Sequence, residues 1–467
     1  MEYKRVITTA VLSTFSCVSD GMQYGWTAPI IPKLMSKDST IKMTLDQAEW
    51  LETILMLGGC CGIPINLFLV DKIGRKGSLI CSSVITLLSW VAIALTPNIK
   101  YLYVARFFAG IAGDTGFVAA PMYIAEIADH KIRGFLSSII YLMMLIGIVL
   151  VYCVAPFTPV WVPCVLGICF NSITLCSFPF IPESPYYLLF KDRYEEAKHA
   201  LERLRHDTEV ESELSDIAAG VKRQKSERGK PQDIILVKSN RKALLIMIWL
   251  NASQHMSSIS IMLMNLHSIL DEAGAKYISS STAGILFSAL MLVAAISASL
   301  AIDNFGRRAL LMTSGTLTGV CLLIIAVYFN MKNSGQEMIS VSWLIPVAVM
   351  FYAAAFKFGI GLVPIVLTAE LFSAKMKAIG MTLSDAFYVG FSVISLQMYH
   401  QLKNTFGIQV PFYIFAIWCF STVIVTVFYI PETKGKTLEE IQVLLKSEES
   451  NRLLSIQNNN RNYTRLT

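Results

Sequence analysis

Charge is what this 467-residue chain has least of: Asp, Glu, Lys and Arg together make up 15% of it, against roughly 25% in ordinary soluble domains. So little charge cannot cover a fully water-exposed surface. Histidine is scarce too, with six in all, and none stands near a cysteine at metal-ligand spacing, so no metal site is expected. The phosphate-cradling pattern G-x-x-x-x-G-K-[ST] is missing, which argues against ATP hydrolysis. No catalytic residue and no cofactor are expected. The ten cysteines, Cys60, Cys61, Cys169 and Cys176 among them, fall inside or at the edges of apolar runs and read as small packing residues rather than a disulfide framework.

What fills the space is apolar: hydrophobic residues reach 54%. They come in twelve blocks near the roughly 20 residues that span hydrocarbon, at 6–30, 48–70, 77–96, 101–125, 135–155, 160–181, 242–265, 281–302, 309–330, 343–369, 379–400 and 410–430. A soluble helical core seldom supplies that many runs separated by short polar loops. Lys4 and Arg5 before the first run resemble a secretory signal, but the run continues past Asp20 and Gln23 into Gly25-Trp26-Thr27-Ala28-Pro29, so it reads as a retained helix. Basic residues collect in alternate short loops: Lys72, Arg75 and Lys76; Lys131 and Arg133; Arg307 and Arg308; Lys375 and Lys377. By the positive-inside rule those loops and both termini face the cytoplasm. The net charge of +6 then needs no nucleic-acid partner. The expected surroundings are the lipid bilayer, as a multi-pass plasma-membrane protein.

One stretch occurs twice. Asp71-Lys72-Ile73-Gly74-Arg75-Lys76 returns as Asp303-Asn304-Phe305-Gly306-Arg307-Arg308. Glu126 stands seven residues before Arg133, as Glu370 does before Lys377. Pro182-Glu183-Ser184-Pro185 follows one half, and Pro431-Glu432-Thr433-Lys434-Gly435 the other. Matched landmarks in matched order imply an internal duplication, and paired halves are how many transporters are built. Four segments follow: a six-helix bundle at 1–182, a polar insert at 183–241, a second bundle at 242–430 and a tail at 431–467. Within the insert, Tyr194–Leu204 and 209–225 read as amphipathic helices on the cytoplasmic face. The tail starts helically at Leu438 and decays into Asn458-Asn459-Asn460, which reads as disorder; the sequon at Asn462 should stay unmodified in the cytoplasm.

In these motifs the chain resembles the sugar porter family of the major facilitator superfamily. The two G-R-[KR] loops, Arg106 with Gly110, Gly113 and Gly116, the run Pro121–Ala128 leading to Arg133-Gly134, and Pro431–Ile441 carry the likeness over almost the whole chain. The Gly25–Pro29 segment is most similar to the arthropod branch that includes facilitated trehalose transporters. The resemblance implies an all-α membrane protein: twelve transmembrane helices as two pseudo-symmetric six-helix bundles, with a cytoplasmic helical insert and a mid-membrane cavity. It also implies salt-bridge clusters at the cytoplasmic gate: Asp71, Arg75, Lys76, Glu126, Arg133 and Glu183 in one half, and Asp303, Arg307, Arg308, Glu370, Lys377 and Glu432 in the other. Such edge ion pairs are individually weak, hence exchangeable for water. In the second half Lys377, Ala378 and Ser373 depart from the family pattern, and lysine loses the bidentate geometry of arginine.

The cavity positions depart further. Sugar recognition calls for side-chain amides, which donate and accept, and for an aromatic platform. Where the family carries a Q-Q-x-S-G-x-N run, this chain reads Gln254-His255-Met256-Ser257-Ser258-Ile259-Ser260. Tyr141 stands at the family's fifth-helix glutamine, Met291 near its eighth-helix asparagine, and Ile365 at its tenth-helix tryptophan. Gln23 takes the place of the titratable aspartate of proton-coupled members, which favours uniport; Asp20 keeps symport open. Lys357 is an intramembrane base, by default a functional residue with a partner to be named. Two roles remain: receiving an anionic substrate together with His255, or pairing with Asp114 or Asp20. Glu52, near an outer helix end, should face extracellular water.

The expected function is facilitated diffusion of a small polar solute, a sugar or sugar-like molecule, by alternating access, with the chain acting as a monomer. A non-sugar or anionic cargo, with or without proton coupling, and a non-transporting sugar sensor are the alternatives.

Overall fold

The computed structural model describes residues 4–36, 41, 43–96, 98–128, 133–205, 210–226, 232–274, 278–336, 338–372, 376–436, 440–441 and 444–445. Among them all regular structure is helical. The expected tail disorder, the sequon at Asn462 and the departure at Ser373 fall outside the described residues, as do the side chains of Arg133, Asp303, Lys377 and Ala378.

In the amino half, α1 (Lys4–Thr14), α2 (Ser16–Gly25) and α3 (Thr27–Leu34) follow one another as the first crossing. Next come α4 (Leu45–Leu95), α5 (Ile99–Ile127), α6 (Arg133–Val154) and α7 (Trp161–Ser177). α4 is two crossings joined at Gly74, whose φ of 87° and ψ of 177° interrupt the helix. Short helices α8 (Pro185–Phe190), α9 (Tyr194–Leu204), α10 (Val210–Ser226) and α11 (Asp233–Leu236) form the linker. The carboxyl half holds α12 (Lys238–Met256) and α13 (Ile259–Ala273), α14 (Ser280–Phe305), α15 (Arg307–Asn333), α16 (Leu344–Phe358) and α17 (Val363–Leu371), α18 (Lys377–Phe406) and α19 (Gln409–Tyr429). Nine described stretches are long and apolar enough to cross a membrane, and Ile139–Val154 is a shorter apolar helix. With the interrupted α1–α3 and α12–α13 crossings, the count is the expected twelve. Side chains such as Phe68, Leu300, Ile417 and Phe428 stay exposed on the outer helix faces, as suits helices bathed in lipid rather than water.

Two crossings of the carboxyl half are truly broken. Ser258 adopts φ 76° between α12 and α13, and irregular backbone from Gly359 separates α16 from α17. Backbone groups freed in hydrocarbon must find partners, and here polar side chains supply them. The Ser314 hydroxyl donates to Ala355 O at 2.7 Å and accepts from Ile360 N at 3.0 Å. The Tyr352 hydroxyl donates to Ser257 O at 2.7 Å, and Gln254 Nε2 reaches Gly361 O at 3.3 Å. The two breaks are thereby tied to each other.

The apolar cores divide unequally. One large cluster joins Met22, Trp26, Ile148 and Tyr152 of the amino half to Met256, Ile261, Met291 and Leu396 of the carboxyl half. On the linker side the halves keep separate cores, one around Tyr123, Ile127 and Leu136, the other around Met247, Leu371 and Phe372. The linker adds its own small core of Leu189, Ala197, Leu201 and Leu214. The halves are therefore closed against each other on the face opposite the linker. α9 matches the amphipathic stretch expected at Tyr194–Leu204, and α10 the charged stretch after it. Lys198–Glu211 and Arg205–Glu213 pairs, both 2.8 Å, hold these helices together. Arg205 also donates to Ile127 O at the end of α5.

Inside the amino half, α4 and α5 approach at glycines. A Cβ on Gly110 would stand 2.0 Å from the Leu55 carbonyl oxygen, whereas one on Gly113 would meet nothing within 4 Å. Small residues at such crossings let backbones touch. Gly110→Val should destabilise the detergent-solubilised protein by at least about 1–3 kcal/mol, the usual scale of overpacking, while Gly113→Ala should leave its thermal midpoint unchanged; light-scattering melts of both variants check this.

Candidate functional site

On the linker face the duplicated turns build two matching clamps. Gly74 and Gly306 take φ of 87° and 83°, a region glycine enters without steric cost. A Cβ at Gly74 would stand 2.4 Å from Glu183 Oε2, and one at Gly306 would stand 2.9 Å from Glu432 Oε2. Beyond the turn, freed helix N–H groups point at those carboxylates. Lys76 N donates to Glu183 at 3.1 Å; Arg307 N and Arg308 N both donate to Glu432 at 3.0 Å. The arginine right after each glycine then reaches an acid on another helix. Arg75 donates to Glu126 Oε1 through Nε at 3.0 Å and Nη2 at 2.7 Å, and Arg307 Nη2 donates to Glu370 at 2.9 Å. A hydroxyl completes each acid: Ser184 donates to Glu126 at 2.5 Å and Thr433 to Glu370 at 2.6 Å. Lys76 and Arg308 bind carbonyls, of Ile181 and Val427 respectively, both at 2.7 Å.

Each clamp closes on its own half. Eight of the twelve gate residues named from the sequence are brought together: Arg75, Lys76, Glu126, Glu183, Arg307, Arg308, Glu370 and Glu432. Asp71 lies exposed beside them, and the side chains of Arg133, Asp303 and Lys377 fall outside the described residues. Ser184 and Thr433 were missed, although both sit inside the repeated motifs, one residue after Glu183 and Glu432. Glu432 lies outside the membrane spans. Its partial burial favours the neutral acid, but the N–H groups of Lys434, Arg307, Arg308 and Thr433 outweigh this and hold the carboxyl below its usual range.

At mid-membrane the cavity candidates sort into three groups. Lys357 of α16 hydrogen-bonds the Tyr141 hydroxyl of α6, its ammonium lying 4.5 Å from the Tyr141 ring centre and 5.3 Å from that of Phe356. Those are its contacts among the described residues, and no carboxylate is one of them. Asp114 instead takes the Asn66 amide and lies against Asp385 of α18. Of the two roles read for Lys357, the pairing with Asp114 or Asp20 is therefore not formed here.

A second group joins His255 Nδ1 to the Ser260 hydroxyl at 2.9 Å, and Ser260 to the Tyr24 hydroxyl at 3.0 Å. The Tyr388 ring meets His255 edge-on at 4.3 Å. Gln23 forms the third. Its carbonyl and side-chain oxygens accept from Arg106 Nη1 at 2.5 and 3.0 Å, and the guanidinium sits 5.5 Å from the Trp26 ring. Gln254 is taken up by the broken backbone at Gly361. Met291 is fully buried in the core shared by the halves, and Ile365 is half exposed on α17. Tyr24, Tyr388 and Asp385 were missed because nothing in their local sequence marks them as facing a neighbour.

A last group was misread. Glu52, expected in extracellular water, is buried: it accepts from Asn265 Nδ2 of α13 at 2.7 Å and stands 3.3 Å from His400 Nε2 of α18. The shared core seals that side, so a carboxylate near the helix end still lies inside protein.

Comparison with known proteins agrees with this architecture. The model of the sugar (and other) transporter family matches residues 6–445. Facilitated trehalose transporter Tret1 of Aedes aegypti is 27% identical over 445 residues, covering 93% of this chain, which spans 55% of that protein's length. Its counterpart in Polypedilum vanderplanki is 26% identical, covering 94% of this chain and 88% of its own. Mouse solute carrier family 2, facilitated glucose transporter member 6, is 28% identical, with 92% and 90% covered. Among solved structures, the inward-open xylose transporter XylE of E. coli superposes with a TM-score of 0.78 at 18% identity over 94% of this chain and 99% of that one. A second XylE structure, bound to 6-bromo-6-deoxy-D-glucose, gives 0.76 at 20%. With the duplicated clamps, the twelve crossings and a family match over nearly its full length, the chain belongs to the sugar (and other) transporter family, whose members are membrane transporters and not enzymes.

Proposed function

We propose that this protein carries a sugar or sugar-like solute across the plasma membrane by facilitated diffusion, the two halves rocking about a cavity at mid-membrane. One observation carries the reading: the halves share a core opposite the linker yet keep separate cores on the linker side. That asymmetry suits one end of an alternating cycle, closed on one face. In this reading 1–182 and 242–430 are the moving bundles, 183–241 joins them on the cytoplasmic face, and 431–467 follows as a cytoplasmic tail. The clamps at Arg75–Glu126 and Arg307–Glu370 stiffen each half and travel with it. The monomer suffices, since each half supplies its own clamp. The solute meets Tyr24, Tyr141, Gln254, His255, Ser260 and Lys357.

The relatives are named for trehalose and glucose, and a sugar is the first cargo to test. A second reading, an anionic or carboxylate-bearing sugar, is favoured by Lys357: a buried ammonium with Tyr141 but no described acid beside it is ready for a carboxylate. Radiolabelled neutral sugars and sugar acids offered to oocytes expressing the chain separate these readings. No accumulation of any solute above control would overturn transport in favour of a sensor. Lys357→Gln should cut uptake of an anionic cargo at least about tenfold, the cost of one lost charged hydrogen bond, and leave neutral-sugar uptake intact or improved. Undiminished anion uptake would remove the second reading.

The clamp carries its own test. Glu432 is held below the usual carboxylate range, so it contributes stability above about pH 4.5, and that contribution fades as pH falls through its lowered value. Glu432→Gln should therefore lower stability at pH 7 by roughly 1–2 kcal/mol, read as a lower thermal midpoint, and flatten the loss of stability between about pH 5 and 3.

A further inference from the structure

The face opposite the linker is joined by a polar seam as well as by the shared core. Along α4, Glu49, Glu52 and Thr53 point one way; along α18, Gln397, His400 and Asn404 point back. Steps of three and four put each set on one helix face. Gln397 Nε2 donates to Thr53 Oγ1 at 2.7 Å, and Asn404 Nδ2 reaches Glu49 at 3.1 and 3.3 Å. Between these rungs His400 stands with Nδ1 3.5 Å from Glu49 Oε1 and Nε2 3.3 Å from Glu52 Oε2. Asn265 of α13 adds its 2.7 Å bond to Glu52. Glu52 and His400 are 2% and 4% exposed. Every one of these contacts crosses from the amino half to the carboxyl half.

We infer that Glu49, Glu52 and His400 form the latch that closes this face, with the doubly protonated imidazole as its pin. The inference rests on the alternating-access reading above. A neutral imidazole donates from one nitrogen only; facing carboxylates with both, the ring completes the latch as imidazolium. A buried Glu52 beside the half-buried Glu49, with no cation between them, would be costly. The surrounding charges leave that role to His400. Lys403 pairs with Glu272 at 3.0 Å within the carboxyl half and acts on Glu49 only as a more distant charge. Arg106 of α5 is engaged by Gln23, with Glu52 only a more distant neighbour. Tyr152 of α6 donates to Leu263 O, and Tyr399 lies edge-on to the histidine at 5.4 Å. To open this face, α4 must leave α18 and α13, releasing the imidazole and both carboxylates to water. The closed form therefore holds a proton that the open form need not hold, and rising pH favours opening, by up to about tenfold in the closed-to-open ratio per pH unit.

Spin labels on Asp46→Cys and Thr405→Cys in the full chain, with exposed native cysteines replaced, report this opening in nanodiscs by pulsed distance measurement. No solute is added, so the result stands apart from what the protein transports. The long-distance population should grow as pH rises from 6 to 9. His400→Gln, neutral throughout, should show a pH-independent distribution. Glu52→Gln, which removes one carboxylate and keeps the shape, should move the opening to lower pH and serves if the histidine variant fails to fold. A wild-type distribution indifferent to pH, or a His400→Gln protein that opens with the wild-type pH dependence, would overturn the inference.

Discussion

A polar group that enters hydrocarbon must bring its partner with it, and that constraint arranges the charged and polar side chains of this chain into layers. On the linker face, four acids gather the ends of the helices: Glu183 and Glu432 take freed N–H groups, Glu126 and Glu370 take arginines. At mid-membrane the broken helices at Ser258 and Gly359 satisfy one another through Tyr352, Gln254 and Ser314. On the far face, Glu49 and Glu52 meet His400 between the halves.

These layers differ in what they join. The linker-face clamps stay inside one half each, so they can persist while the halves move. The far-face seam crosses the boundary, so it must come apart whenever that face opens. Rigid halves with a breakable seam are what hinge-like domain motion needs. The mid-membrane breaks lie between the two, where a discontinuous helix can bend.

Much of this was legible in the sequence because it repeats. Asp71–Lys76 and Asp303–Arg308 announced both turns; matched spacing singled out Glu126 and Glu370, and the family resemblance placed them in the clusters. The amphipathic α9 was readable from Ala197, Leu201 and Leu204. Contacts made across the fold were not. Thr53 and Gln397 are 344 positions apart, and no local pattern in a single sequence marks such a pair. Glu52 looked like a solvent-facing acid because its distance from the helix end was visible and the helix covering it was not. Asp114 was offered Lys357 as its partner because Asp385, part of an unremarkable α18 stretch, carried no signal. Ser258 adopts a left-handed backbone that serine rarely takes, so the break in the seventh crossing could be suspected only from the motif around it.

Motion of one half against the other is the central claim, and a reversible staple across the seam tests it most directly. Thr53→Cys with Gln397→Cys places two thiols where a hydroxyl and an amide now sit 2.7 Å apart, within reach of a short bifunctional thiol reagent. Cross-linked protein in proteoliposomes should carry no solute, and cleaving the link should restore transport to the level of the uncross-linked double variant. Transport that continues undiminished while the link is intact would contradict the account.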